Sequence, residues 1–155
     1  MVPGMPSFEP QDPEFESRVR RSFARQAALA TLGATLARVV PGEVEIHLPF
    51  RPELSQQHGF LHAGVSTAVV DTACGYAALT LMPAGAAVLT IEFKVNLLAP
   101  GQGELFIATG RVVKPGRAVT VCSGEVEAIR AGERRTVVLM QATMMSVQDR
   151  PGLSD

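Results

Sequence analysis

The stretch Ala63-Gly64-Val65-Ser66-Thr67-Ala68-Val69-Val70-Asp71-Thr72-Ala73-Cys74-Gly75-Tyr76-Ala77-Ala78-Leu79-Thr80-Leu81-Met82 is almost wholly apolar or small. A helix with no wet side must be buried all round, and Pro83 with Gly85 ends it. Such a helix needs a cover from another layer. Downstream, residues 87–99, 104–114, 118–130 and 133–147 read as a meander of long strands. Turn residues separate them: Ala99-Pro100-Gly101-Gln102-Gly103, Pro115-Gly116-Arg117 and Ala131-Gly132. In the first strand Leu89, Ile91, Phe93, Val95 and Leu97 alternate with Thr90, Glu92, Lys94 and Asn96, so one face is apolar and the other polar.

Upstream, two short strands flank Pro41-Gly42, at 34–40 and 43–50. Before them a helix is expected over 14–30, opened by Pro13, with Phe15, Val19, Phe23 and Ala27 at helical spacing. The fold class is therefore α+β: a curved antiparallel sheet wrapped around one long central helix, preceded by an N-terminal helix. Residues 13–147 form a single domain, with a loose leader over 1–12 and a loose tail over 148–155. A sheet with free edges extends itself by dimerising.

Composition narrows the partners. Hydrophobic residues make up 46% of the 155 and charged ones 19%, a globular balance. A net charge of −1 gives no basic field for nucleic acid or an anionic membrane. All but Lys94 and Lys114 of the 14 basic residues are arginine, a side chain suited to forking onto phosphate. Two cysteines without CxxC spacing make neither a disulfide framework nor a zinc site. The Pro-rich, acidic start has no signal-peptide character, and no apolar run reaches the roughly 20 residues that span a bilayer. The expected setting is cytoplasmic.

The loop Gln56-Gln57-His58-Gly59-Phe60-Leu61-His62 runs directly into the apolar helix. A helix start offers unpaired N–H groups and a positive dipole end, hence a place for an oxyanion. Asp71 is the only acid between Glu53 and Glu92, and a lone carboxylate in an apolar segment is costly unless paired or used. It stands seven residues past Gly64, about 10 Å along the helix axis. One chain cannot bring both groups to the same atom. Two antiparallel copies across a two-fold axis can, which gives two shared sites per dimer. His58 and His62 have no further ligand partner, so no metal is assigned. Cys74, deep in the apolar helix, reads as core.

Gln56, His62, Gly64, Asp71, the Ala-rich helix and the run Thr90-Ile91-Glu92-Phe93-Lys94-Val95-Asn96-Leu97-Leu98-Ala99-Pro100 together resemble the hotdog-fold acyl-CoA thioesterases of the phenylacetate-pathway (PaaI-like) type. The likeness covers roughly residues 23–146, with His62-Ala63-Gly64 where that family has His-Gly-Gly. It implies hydrolysis of acyl-CoA to free acid and coenzyme A by a homodimer assembled as a homotetramer. The thioester carbonyl would lie against the backbone N–H of Ala63 or Gly64. Asp71 of the neighbouring subunit would serve as general base or nucleophile, with His62 and Gln56 ordering the loop. Coenzyme A would enter only as part of the substrate, with no other cofactor. Lys114, Gly116 and Arg117 are the candidates for its phosphates, with His58 beside the site and Tyr76 lining the acyl pocket. A non-catalytic acyl-CoA sensor and an acyl-thioester dehydratase or hydratase are the alternatives on the same fold.

Overall fold

The computed structural model describes residues 7–155. Two helices, α1 (Phe15–Ala24) and α2 (Ala27–Leu32), lead into strands β1 (Thr35–Val40) and β2 (Glu43–Pro49). Helix α3 (Ala63–Leu79) follows, then strands β3 (Ala87–Leu97), β4 (Leu105–Lys114), β5 (Val119–Arg130) and β6 (Glu133–Val147). The six strands form one antiparallel sheet in the order β1-β2-β4-β5-β6-β3. Helix α3 packs on its inner face. Contact is close because Gly110 and Gly124 lie beneath it: a Cβ on Gly110 would sit 2.3 Å from the Ala73 carbonyl carbon, and one on Gly124 2.6 Å from Val70. Those two glycines are register partners on β4 and β5, so one smooth patch of sheet receives the helix.

The strands do not run as a simple meander. β3 leaves the end of α3, pairs with β6 and becomes an edge, while β4 inserts beside β2. The link between β3 and β4 passes the loop before α3, where the Leu61 N–H donates to the Gly101 carbonyl at 2.9 Å. A Cβ at Gly101 would crowd Leu61 at 3.0 Å.

The first helix is two helices rather than one over 14–30. Val19 and Leu29 are both buried, at 0% and 3% exposure. An extended Gln26, with ψ 94°, separates the two helices.

The strict alternation expected along β3 also fails. Ile91 is an extra residue, a bulge between Thr90 and Glu92, and one added residue exchanges the faces of a strand. Thr90 thus shares the helix side with Phe93, Val95 and Leu97, while Leu89 lies on the outer face with its register partner Met145. Helix α3 is not buried on all sides either: Ala63, Val65, Thr67, Ala68, Asp71 and Thr72 are half-buried and Gly64 is exposed.

The segments expected to be loose are tied down where they are described. Phe8 packs on the core, and the Gln11 amide donates to the Leu81 carbonyl at 2.8 Å. Buried Arg18, paired with Asp12 at 3.4 Å, donates to the carbonyls of Leu79, Met82 and Pro83 and so caps the end of α3. At the other terminus Asp155 accepts from the Ser22 hydroxyl and the Val88 N–H, both at 2.8 Å. Residues 1–6 of the expected leader lie outside the described residues.

Candidate active site

Residues 56–60 fold back on themselves before α3 begins. The Gln56 N–H donates to the Phe60 carbonyl at 2.8 Å and the Gly59 N–H to the Gln56 carbonyl at 2.9 Å. The Gln56 side-chain oxygen accepts from the His58 and Phe60 N–H groups. Gly59, at φ 83°, takes the left-handed position this turn requires. Gln56 therefore orders the loop, while His58 stands exposed at its tip.

His62 is the N-cap of α3, and its Nδ1 accepts from the Gly64 N–H at 2.9 Å. A Cβ at position 64 would meet that ring at 3.1 Å, so glycine there makes room for the cap. Of the two candidate oxyanion donors, the Gly64 N–H is thus occupied by His62. The Ala63 N–H has no acceptor among the described residues. The next two, on Val65 and Ser66, return to the His62 carbonyl. Gln56, Ala63 and Ser66 line a groove of about 390 Å³ together with Leu97, Leu98 and Pro100.

Asp71 lies two turns further along α3, in a separate cavity of about 160 Å³. The Thr90 hydroxyl donates to its Oδ1 at 2.9 Å, and no cation forms an ion pair with it among the described residues. Burial raises the Asp71 carboxyl above its ordinary range, and the Thr90 hydrogen bond opposes that rise. The bulge at Ile91 puts Thr90 in reach. Sequence reasoning missed Thr90 because strict alternation assigns it to the outer face. The one available mark was the unbroken apolar run Ala87-Val88-Leu89, which cannot alternate. Gln26 and Gly75 also line this cavity with Tyr76; Gln26 carried no sequence signal, and the only mark of Gly75 was a glycine inside a helix.

Cys74 is fully buried, and burial pushes its thiol well above the usual range, with Cys122 and Asp71 adding to the rise. That leaves no thiolate for attack. Among the described residues, no three His, Cys, Asp or Glu side chains converge on a metal position. No described helix is long and apolar enough to cross a membrane.

Two groups of cations stand at opposite ends of β5. Lys114, Gly116 and Arg117 occupy the exposed β4–β5 turn. The Gly116 N–H is turned toward the Thr120 hydroxyl at 3.4 Å, and a Cβ there would strike the Val119 carbonyl oxygen at 2.0 Å. At the β5–β6 end, Arg130, Arg134 and Arg135 line a groove of about 490 Å³. It shares Pro100 and Val137 with the groove beside Gln56.

A family model described as Thioesterase superfamily matches residues 58–145, more than half of the chain. The chain belongs to the thioesterase superfamily. A solved structure of a thioesterase family protein from Silicibacter pomeroyi is 51% identical to this superfamily member. It superposes with a TM-score of 0.85, covering 86% of this chain and 98% of its own. The fold is the hotdog fold. A putative esterase from Halobacterium salinarum is 33% identical over 98 residues, which are 60% of this chain and 64% of that protein, under two thirds of its length. A 1,4-dihydroxy-2-naphthoyl-CoA hydrolase from Listeria monocytogenes is 28% identical over 91 residues, 59% of this chain and 74% of its own.

Proposed function

We propose that this superfamily member hydrolyses acyl-CoA thioesters at a site built by two subunits. The observation that carries the proposal is the separation on one helix of a carboxylate without a cation and an N–H without an acceptor. They lie too far apart along α3 to act on one carbonyl within a single chain. Two copies related by a two-fold axis bring the Ala63 N–H of one subunit to Asp71 of the partner subunit. The β3 edge suits such pairing: its strand is unpaired on one side, and Ile91, Phe93 and Leu97 are 52%, 42% and 55% exposed, a surface that isolated proteins avoid. Pairs of such dimers then make the homotetramer.

In the proposed reaction the thioester oxygen accepts from the Ala63 N–H, which polarises the carbonyl. Asp71 removes a proton from water as that water adds to the carbonyl carbon. The tetrahedral intermediate collapses with cleavage of the carbon–sulfur bond, the thiolate leaves, and the proton passes from Asp71 to it. Direct attack by Asp71 followed by hydrolysis of the resulting anhydride uses the same two groups. Coenzyme A enters as part of the substrate, its phosphates at Lys114 and Arg117. The kinship with a naphthoyl-CoA hydrolase supports the thioester class. The presence of Asp71, a carboxylate without a cation, argues against a pure sensor, and a capping histidine ahead of the helix argues against a dehydratase.

The test is release of free thiol from a panel of acyl-CoA esters by the wild-type protein and by Asp71→Asn. Loss of at least about a hundredfold in the variant, with folding and assembly intact, supports the reading. Equal rates in the two proteins overturn it.

A further inference from the structure

The cavity that holds Asp71 is lined also by Gln26, Gly75, Tyr76 and Val88, and Gly75 is the informative residue. Glycine weakens a helix interior relative to alanine, so a glycine there needs a reason. Gly110 and Gly124 have one, since a side chain on either would collide with α3. Gly33, Gly42 and Gly59 have another, a positive φ. Gly75 has neither: it sits inside α3 and is buried, yet a Cβ on it would meet nothing within 4 Å. The missing side chain keeps space open beside the carboxylate.

The end of that space is rigid. Gln26 Nε2 donates to the Tyr76 hydroxyl at 2.9 Å, and that hydroxyl lies 3.1 Å from the Ser22 hydroxyl. Ser22 donates its own proton to Asp155 Oδ1, so the Tyr76 proton goes to Ser22. Tyr76 is 2% exposed and is held on both sides. A wall so anchored does not yield to a longer guest.

We infer that Gly75 sets acyl-group specificity: the acyl chain passes Asp71 and ends over Gly75 against the Gln26–Tyr76 wall, which admits a compact acyl group and stops a long one. The volume of about 160 Å³ compares with the roughly 150 Å³ of a cavity known to hold one benzene ring. This inference rests on the hydrolase reading for its substrate class but not for its site.

The experiment compares wild type, Gly75→Ala and Gly75→Val with acetyl-, benzoyl- and decanoyl-CoA, measuring both turnover and equilibrium binding. Wild type should prefer benzoyl- to decanoyl-CoA by at least tenfold in kcat/KM. Gly75→Val should lose at least tenfold on benzoyl-CoA while staying within twofold on acetyl-CoA. Gly75→Ala should melt no lower than wild type and fall between the two, so it serves if the valine variant folds poorly. Equal change on all three esters overturns the inference, as does dissociation of the dimer by Gly75→Val, which would assign the space to the subunit interface. A wild type that hydrolyses none of the three but binds benzoyl-CoA more tightly than free coenzyme A, with the gap abolished in Gly75→Val, refutes hydrolysis and retains the pocket. A binding gap that survives Gly75→Val refutes the pocket alone.

Discussion

Thr90 Oγ1 donates to Asp71 Oδ1 across 2.9 Å, joining the β3 bulge to the middle of α3. The bond stabilises the ionised acid against a burial effect that favours the neutral one. Removing the donor in Thr90→Val leaves burial unopposed, so the Asp71 pKa rises further. Because the carboxylate is the working form, the acid limb of kcat/KM should move to higher pH, with a smaller loss at the alkaline plateau than at neutral pH. A pH–rate profile checks this; an unmoved limb would separate Thr90 from the chemistry.

Stability should respond to the same acid in the opposite sense. A carboxyl whose folded pKa is raised favours the native state when protonated. That stabilisation is full below the unfolded value, near the ordinary carboxylate range, and is lost as pH rises through the folded one. At neutral pH the wild-type protein therefore carries the cost of a partly buried charge, and Asp71→Asn carries none. Its melting temperature at neutral pH should equal or exceed that of wild type by up to a few degrees, the gap closing as pH falls below the carboxylate range. Melting curves across that interval decide it.

The helix start offers a third test. His62→Ala removes an N-cap, a loss of about 1 kcal/mol in stability, and frees the Gly64 N–H. Thiol release should drop roughly tenfold as the loop relaxes. His62→Asn restores an acceptor at the cap, so melting temperature should recover. Thermal melts on the pair, read beside turnover, show whether His62 acts through the helix start.

These variants probe parts that differ in how plainly the sequence announced them. The apolar run at 63–82 demanded a cover, and the alternating strands supplied one, because both patterns are set by burial alone. Asp71 stood out for the same reason, as a charge where none belongs. The β3 bulge did not, since an inserted residue leaves composition unchanged and only shifts phase; Thr90 was misplaced with it. The break at Gln26 was hidden too, because glutamine is a good helix former and no glycine or proline stands between Pro13 and Gly33. The position of β3 at the sheet edge is set by how the chain leaves α3 rather than by any residue within the strand.

The phosphate arm of the substrate is a question of place. Lys114 and Arg117 stand at one end of β5 and Arg130, Arg134 and Arg135 at the other. Replacing Lys114 and Arg117 together with alanine should raise KM for an acyl-CoA about tenfold, with kcat unchanged. The same double variant should leave the phosphate-free acyl-pantetheine unaffected. The triple alanine variant of the arginines is the comparison, and a KM effect confined to it would move the phosphates to the β5–β6 groove.

A shared site can be tested by complementation. Ala63 is the first residue of α3 and follows an extended His62, φ −62° and ψ 133°, a backbone that accepts proline at the next position. Ala63→Pro therefore deletes one N–H while keeping the helix. Its turnover should fall a hundred- to a thousandfold, the usual effect of losing an oxyanion donor. Asp71→Asn is expected to be inactive for its own reason. Unfolded together and refolded, the two variants form mixed dimers with one site intact and one doubly impaired. Random pairing makes half of the dimers mixed, so roughly a quarter of wild-type activity should return. Two inactive parents that stay inactive when mixed would place the Ala63 N–H and Asp71 in separate sites, and the two-subunit mechanism would fail with them.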